Sequence, residues 1–221
     1  MIEIVLDTET TGLSVQEGHR VVEIACMELE DLIPTGNEFH ICLNPERKVS
    51  EQAFKIHGFT DNFLSKQKKF SEIKDSFLNF IQNKKLIIHN AEFDLGHLNN
   101  ELFLCGNEKI SNEVVDTLIL AREKFPGSQA SLDALCKRFR VDNSKRNQHN
   151  ALLDCHLLSK VYINLIDQKE PKLNFQNNEN FDKDQSNLNV EYYKKIILPS
   201  DEEIKNHKKY IKESLKKNFF N

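Results

Sequence analysis

The chain has 221 residues, 39% of them hydrophobic and 29% charged, enough to bury one full-sized core and leave an extension over. Lys and Arg number 30 against 34 Asp and Glu, a formal net charge of -4, and residues 1–170 alone hold 20 basic and 26 acidic side chains; no strong positive field draws polyanions, and a nonspecific DNA-coating role is excluded. No apolar run reaches membrane-spanning length, and the opening MIEIVLDTET carries Glu3 and Asp7 where a signal peptide would carry basic charge, so a soluble cytoplasmic protein is expected.

Ile2, Ile4, Val5 and Leu6 form a nearly continuous, β-branched run bounded by TETTGL, the pattern of a strand buried on both faces. Val21 to Leu29 and Asn37 to Leu43 read as two further strands, with Pro34, Thr35 and Gly36 as the turn between antiparallel neighbours. Ala53, Phe54, Ile56 and His57, closing at Gly58, predict a short helix, and Phe70, Ile73, Phe77, Leu78 and Ile81 a longer one. Leu86 to Ile88 form a fourth strand ending in His89 and Asn90. Helical spacing returns through Phe93, Leu95, Leu98 and Leu102 up to Gly106. A fifth strand is expected at Glu113 to Asp116, then helices over 117–124, roughly 131–138 with Ser131 as cap, and about 149–167. The order predicts an α/β fold, a mixed five-stranded sheet flanked by helices.

Beyond Glu170 the composition changes: residues 171–190 contain six Asn and two Gln, which reads as a flexible linker. Ser200 with Glu203 forms a capping box for a short lysine-rich tail helix too small to fold alone. Tyr192, Tyr193, Ile196, Ile197 and Leu198 just before it form an apolar patch suited to a partner. The domains expected are therefore 1–168, a linker over 169–190 and a docking tail over 191–221. Five cysteines, at 26, 42, 105, 136 and 155, show no CxxC pair, so neither a disulfide framework nor a zinc knuckle fits. Cys155, despite His149, Asp154 and His156 nearby, reads as a buried, inert thiol.

The chemistry lies in the acids. Asp7 and Glu9 are two apart at the end of the first strand, so in extended backbone they share a face; alone, this pair could equally be a solvated strand end. Asp94 in HNAEFD and Asp154 in HNALLD arrive from two other segments, and four carboxylates from three segments can converge on one sheet edge. Such a cluster repels itself unless cations join it, and hard oxygen ligands suit magnesium or manganese. Two ions about 3.5–4 Å apart activate a water and stabilise the leaving oxygen of a phosphodiester. His149 precedes Asp154 by five residues, which on one regular helix would turn them about 140° apart. His149 is therefore expected before the helix begins, where it can reach over the metals and take a proton from the attacking water.

DTETTGL, HNAEFD and HNALLD, in this order and at these separations, resemble the three motifs of the DEDD-type 3′–5′ exonucleases, in the subgroup carrying a histidine near the last aspartate. The resemblance covers about residues 1–168 and implies a ribonuclease H-like fold. It also implies that Asp7, Glu9, Asp94 and Asp154 hold two divalent cations, Mg2+ or Mn2+, with His149 as general base. Thr8, Gly12, Leu13, Ile56, His57 and Phe93 are implied as contacts to the 3′-terminal nucleotide of DNA. Leu13 and Ile56 are suited to wedge against a base, and Gly12 permits close approach. Asp116 is expected either to support the site or to cap the helix over 117–124. AFKIHGFTDNFL, the 125–136 stretch, DNSKR and SDEEIKNH further resemble the proofreading members of the family, which work beside a replicative DNA polymerase. Gln52 departs from those members, which tend to have an acid there. By the same resemblance the tail docks on the polymerase, and residues 170–175, EPKLNF, are either a sliding-clamp contact that departs from the pattern at Glu170 or a plain linker.

Overall fold

The computed structural model describes residues 1–144, 146, 148–166 and 199–214. The chain divides into two units, Met1–Leu173 and Asn174–Asn221. In the first, a five-stranded sheet runs in the order β3-β2-β1-β4-β5, built from β1 (Ile2–Thr10), β2 (Val21–Glu30), β3 (Ile33–Cys42), β4 (Lys85–Ile88) and β5 (Val114–Asp116). β1 is antiparallel to β2 and parallel to β4, so the sheet is mixed, as expected. The helices are α1 (Glu51–His57), α2 (Asp61–Leu64), α3 (Phe70–Ile81), α4 (Ala91–Leu104), α5 (Thr117–Lys124), α6 (Leu132–Phe139) and α7 (Ala151–Leu165).

Strand alternation divides the core into two layers. Val5 and Ile87 face the cluster with Leu135, Cys155, Leu158 and Val161 from α6 and α7. Ile4, Leu6, Leu86 and Ile88 face Phe70, Ile73, Phe77 and Leu98 from α3 and α4. The parity carries functional consequences along β1. Asp7 and Glu9 continue the α7-facing row of Val5, whereas Thr8 continues the α4-facing row of Leu6.

β1 runs to Thr10, so Asp7 and Glu9 lie at its end as expected, and it pairs with β2 through a register shift between Glu9 and Thr10. Several expectations change. The hairpin between β2 and β3 turns at Asp31 and Leu32, both with positive φ (49° and 70°), not at Pro34 to Gly36. Pro34 lies inside β3, opposite Leu29, where the register shifts. An edge strand tolerates it because the missing N–H is not needed in the ladder. Leu32 accepts the left-handed conformation while packing on the α7-side core. α2 was not expected, since four residues show no helical period; Thr60 caps it by accepting from Phe63 N at 3.2 Å. β5 begins one residue later than expected, at Val114.

The thiols behave as packing groups. All five are free, and Cys155 is fully buried, its Sγ 3.4 Å from Ala25 O, with burial pushing its pKa well up. In the second unit, α8 (Asp201–Ser214) begins with the expected capping box: Ser200 N donates to Glu203 Oε2 at 2.8 Å and Glu203 N to Ser200 Oγ at 3.3 Å. Ile204 and Tyr210 on this helix are exposed. The linker over 169–190, the 170–175 hexamer and the apolar patch from Tyr192 to Leu198 lie outside the described residues. No helix among the described residues is long and apolar enough to cross a membrane.

Candidate active site

The end of β1 opens into a cleft of about 910 Å³. Asp7, Glu9, Asp94, Asp154 and His149 all line it, and so do Thr8, Gly12, Leu13, Ile56, His57 and Phe93. Every site residue expected from the sequence is thus brought to one place.

Three local devices deliver the four acids. Asp7 and Glu9 reach the cleft because β1 stays extended to Thr10, keeping both on one face. Asp94 stands in the first turn of α4 and crosses to the strand from the other layer: Thr8 donates to its Oδ1 from both N at 3.0 Å and Oγ1 at 2.7 Å. Asp154 lies in the first turn of α7, which Asn150 caps by accepting from Leu153 N at 3.0 Å. His149 sits just outside that helix, as the angular argument requires. Its backbone N donates to Ile56 O at 3.0 Å, tying the histidine to the wall that carries Ile56 and His57.

Glu9, His149 and Asp154 bring their ligand atoms within 4.8 Å of one another; the two carboxylates offer the oxygen donors a hard cation takes, and the imidazole stands beside them. His149 Nδ1 is 3.7 Å from Asp154 Oδ2 and 3.9 Å from Glu9 Oε1. Burial, followed by the charges of Asp94, Glu9 and Asp154, drives the Asp7 carboxyl well above its ordinary range. Burial, with Glu23 and Asp154 next, raises Glu9 to about 8, and burial raises Asp94 to about 7 against the hydrogen bonds from Thr8. Carboxylates held this close resist ionising together. His149 moves the other way: burial and the Arg146 guanidinium lower its pKa, with Asp154 and Asp133 opposing.

The contact residues differ in character. Leu13 (75% exposed) and Ile56 (42%) present apolar surface at the mouth of the cleft. His57 is buried against Phe59 and accepts from Phe59 N at 3.0 Å. Gly12 is needed for a reason the sequence did not reveal: a Cβ there would come within 2.3 Å of the His19 ring. Asp116 performs both tasks left open. Its Oδ1 accepts from Leu118 N at 2.8 Å, capping α5, while Oδ1 and Oδ2 accept from Asn90 N at 3.1 Å and Ala91 N at 2.9 Å, fixing the start of α4 and hence Asp94.

Two groups were missed. Glu23, fully buried on β2, accepts from Ala151 N and Asn150 Nδ2, both at 2.9 Å, and pairs with His40 Nε2 at 2.7 Å. It anchors the start of α7 next to His149, so Glu23→Gln should weaken that anchor by about 1–3 kcal/mol, lowering the melting temperature and slowing any reaction that depends on His149; a variant with parental melting and rate would show the anchor to be dispensable. Arg146 donates through Nε to Asp154 Oδ1 at 2.6 Å and through Nη2 to Oδ2 at 2.8 Å. The only sequence signal for it is its place in DNSKR, three residues before His149.

Residues 4–162 match the family model described as Exonuclease (RNase_T). The chain belongs to the exonuclease family. The exonuclease is 43% identical over 222 residues to the DNA polymerase III subunit epsilon of Rickettsia felis, covering 97% of both chains. The Escherichia coli protein of the same name is 44% identical over 169 residues, covering 73% of this chain and 70% of that one. Among solved structures, exonuclease X in complex with 5′ overhanging duplex DNA has a TM-score of 0.58 at 26% identity, covering 75% of this exonuclease and 92% of that chain. The nuclease domain of 3′hExo, a DEDDh family member bound to rAMP, gives 0.66 at 15% identity with 76% and 92% coverage, which identifies the fold. This is the expected ribonuclease H-like arrangement.

Proposed function

We propose that this exonuclease removes mispaired 3′-terminal nucleotides from DNA as 5′-monophosphates, as the proofreading subunit of a bacterial replicase. The observation that carries the reading is similarity along 97% of the chain to a DNA polymerase III subunit epsilon, tail included. Asp7, Glu9, Asp94 and Asp154 hold two divalent cations, Mg2+ or Mn2+. The donor set fits: oxygen ligands only, from three segments, with mutual repulsion that a cation relieves. Bound cations supply an activated water and charge stabilisation at the leaving oxygen. His149, held neutral by its surroundings, accepts the proton of the attacking water. Thr8 keeps Asp94 in place, Leu13 and Ile56 wedge the terminal base, and Gly12, His57 and Phe93 shape the floor beneath it.

The functional domains are 1–168 for catalysis, 169–190 as linker and 191–221 as the tail that docks on the α subunit of DNA polymerase III, in the cytoplasm. Residues 170–175 are a candidate sliding-clamp contact. With a net charge of -4, free binding to DNA is weak, and tethering supplies the local concentration at the primer end.

A 5′-labelled primer with a 3′ mismatch should be shortened one nucleotide at a time only when Mg2+ or Mn2+ is present; absence of stepwise shortening would overturn the assignment. Truncation after Lys169 should leave hydrolysis of single-stranded DNA nearly unchanged while abolishing co-purification with the polymerase subunit. Tight binding by the truncated protein would move the docking surface onto the catalytic domain.

A further inference from the structure

We propose that Arg146 competes with a divalent cation for Asp154: its guanidinium holds the carboxylate before the cation binds, yields it on binding, and stays tethered through Asp133. The inference rests on the metal-binding reading of the acidic cluster given above.

The Arg146 fork meets both oxygens of Asp154, at 2.6 Å and 2.8 Å. A cation chelated by both oxygens and a forked guanidinium use the same pair of in-plane lone pairs, so the two exclude each other on that edge of the carboxylate. The same Nη2 lies 3.1 Å from His149 Nδ1, so one contact occupies both a metal-ligand candidate and a ring nitrogen of the proposed base. Arg146 has a second anchor. Nη1 is 2.8 Å from Asp133 Oδ2, and Asp133, on α6, is 56% exposed and outside the four-acid set. Asn143 Nδ2 donates to Asp133 Oδ1 at 3.0 Å, which holds the anchor in position.

The two anchors are therefore unequal. Asp154 is almost fully buried, among acids that need a positive charge; Asp133 lies toward solvent, where a guanidinium can remain after losing its inner partner. A purely structural buried ion pair is a weak source of stability, because desolvating both charges offsets most of their attraction. Here the pairing also neutralises carboxylates that would otherwise repel. A dication does this more completely, and its charge repels the neighbouring guanidinium.

The test is titration of the full chain with MnCl2 by calorimetry at mildly alkaline pH, together with thermal melting in EDTA and in saturating Mn2+. Arg146→Gln should bind Mn2+ about tenfold more tightly than the parent, because no side chain has to be displaced. Its melting temperature should fall more in EDTA than in Mn2+. Arg146→Lys, which keeps the charge without the paired contact, should gain about threefold in affinity; it serves as the readout if the glutamine variant does not fold. Unchanged or weaker Mn2+ binding in both variants, or melting temperatures lowered equally with and without the ion, would overturn the competition and make Arg146 a structural tie. Failure of the parent and of both variants to take up Mn2+ would overturn the metal reading itself, and the competition with it.

Discussion

Asp7→Asn should abolish nucleotide release while raising the melting temperature measured in EDTA, whereas Asp154→Asn should abolish release while lowering it. Both remove a proposed cation ligand, and the expected loss of transition-state charge stabilisation is several kcal/mol, roughly a 10³-fold fall in rate. Stability separates them. Asp7 is half-buried beside Asp94, Glu9 and Asp154, and its carboxyl is driven well up because desolvation and these neighbouring charges disfavour the charged form. Removing that charge relieves repulsion. Asp154 shares the cluster but has a bidentate arginine, so its loss leaves the largely buried Arg146 guanidinium paired to Asp133, an exposed carboxylate, in place of a buried one. The pH dependence in EDTA follows with the same sign. Asp7, Glu9 at about 8 and Asp94 at about 7 all titrate above their ordinary 3.8, 4.5 and 3.8. Their contribution to stability is complete below about 4 and is lost as pH rises through 7 to 8. Parent protein in EDTA should therefore melt lower at pH 8 than at pH 6, and Mg2+ or Mn2+ should restore it. Melting that is flat across this range, or an Asp7→Asn protein that melts below the parent, would contradict the repulsion on which the argument depends.

What could be read from sequence was whatever a single segment specifies. The two-residue spacing of Asp7 and Glu9 fixes a shared face once the strand is extended, and the five-residue gap between His149 and Asp154 placed the histidine ahead of its helix. The acids of the other segments were legible only through motif order, which says that they converge without saying what else arrives. Glu23 illustrates the limit: it supports the start of α7 across a separation of 127 residues, and nothing in VVEIAC distinguishes it from an ordinary strand acid. Arg146 was hidden for a different reason. Its partners, Asp154 and Asp133, lie 8 residues after it and on the preceding helix, so the pairing depends on how the intervening loop folds back. The hairpin was misplaced because Pro and Gly mark turns statistically, whereas here they lie in an edge strand that can absorb a proline, and the turn falls on Asp31 and Leu32. Gly12 was assigned to close substrate approach; the structure adds a constraint from within the protein, the His19 ring.

His149→Gln should reduce the maximal rate by about 10²- to 10⁴-fold and remove the acid limb of its pH profile. The histidine can accept a proton only when neutral, and burial together with Arg146 lowers its pKa below the ordinary 6.5. A bound dication also disfavours the imidazolium, so the parent rate in saturating Mn2+ should rise with pH through a titration below that value and then level off. Saturating metal is essential to the sign. Glu9 and Asp94 titrate near 8 and 7 without a cation, but a bound cation requires them deprotonated, so at saturation their protons no longer limit the rate. At low metal concentration protons compete with the cation, and the limb should move to higher pH and steepen. Glutamine occupies a similar volume and can still hydrogen-bond, so the cleft and the Mn2+ affinity should survive the replacement, with the loss confined to kcat. A His149→Gln protein that kept the full rate would remove the general-base role. One that kept the limb at saturating metal despite a reduced rate would assign that titration to a group other than His149.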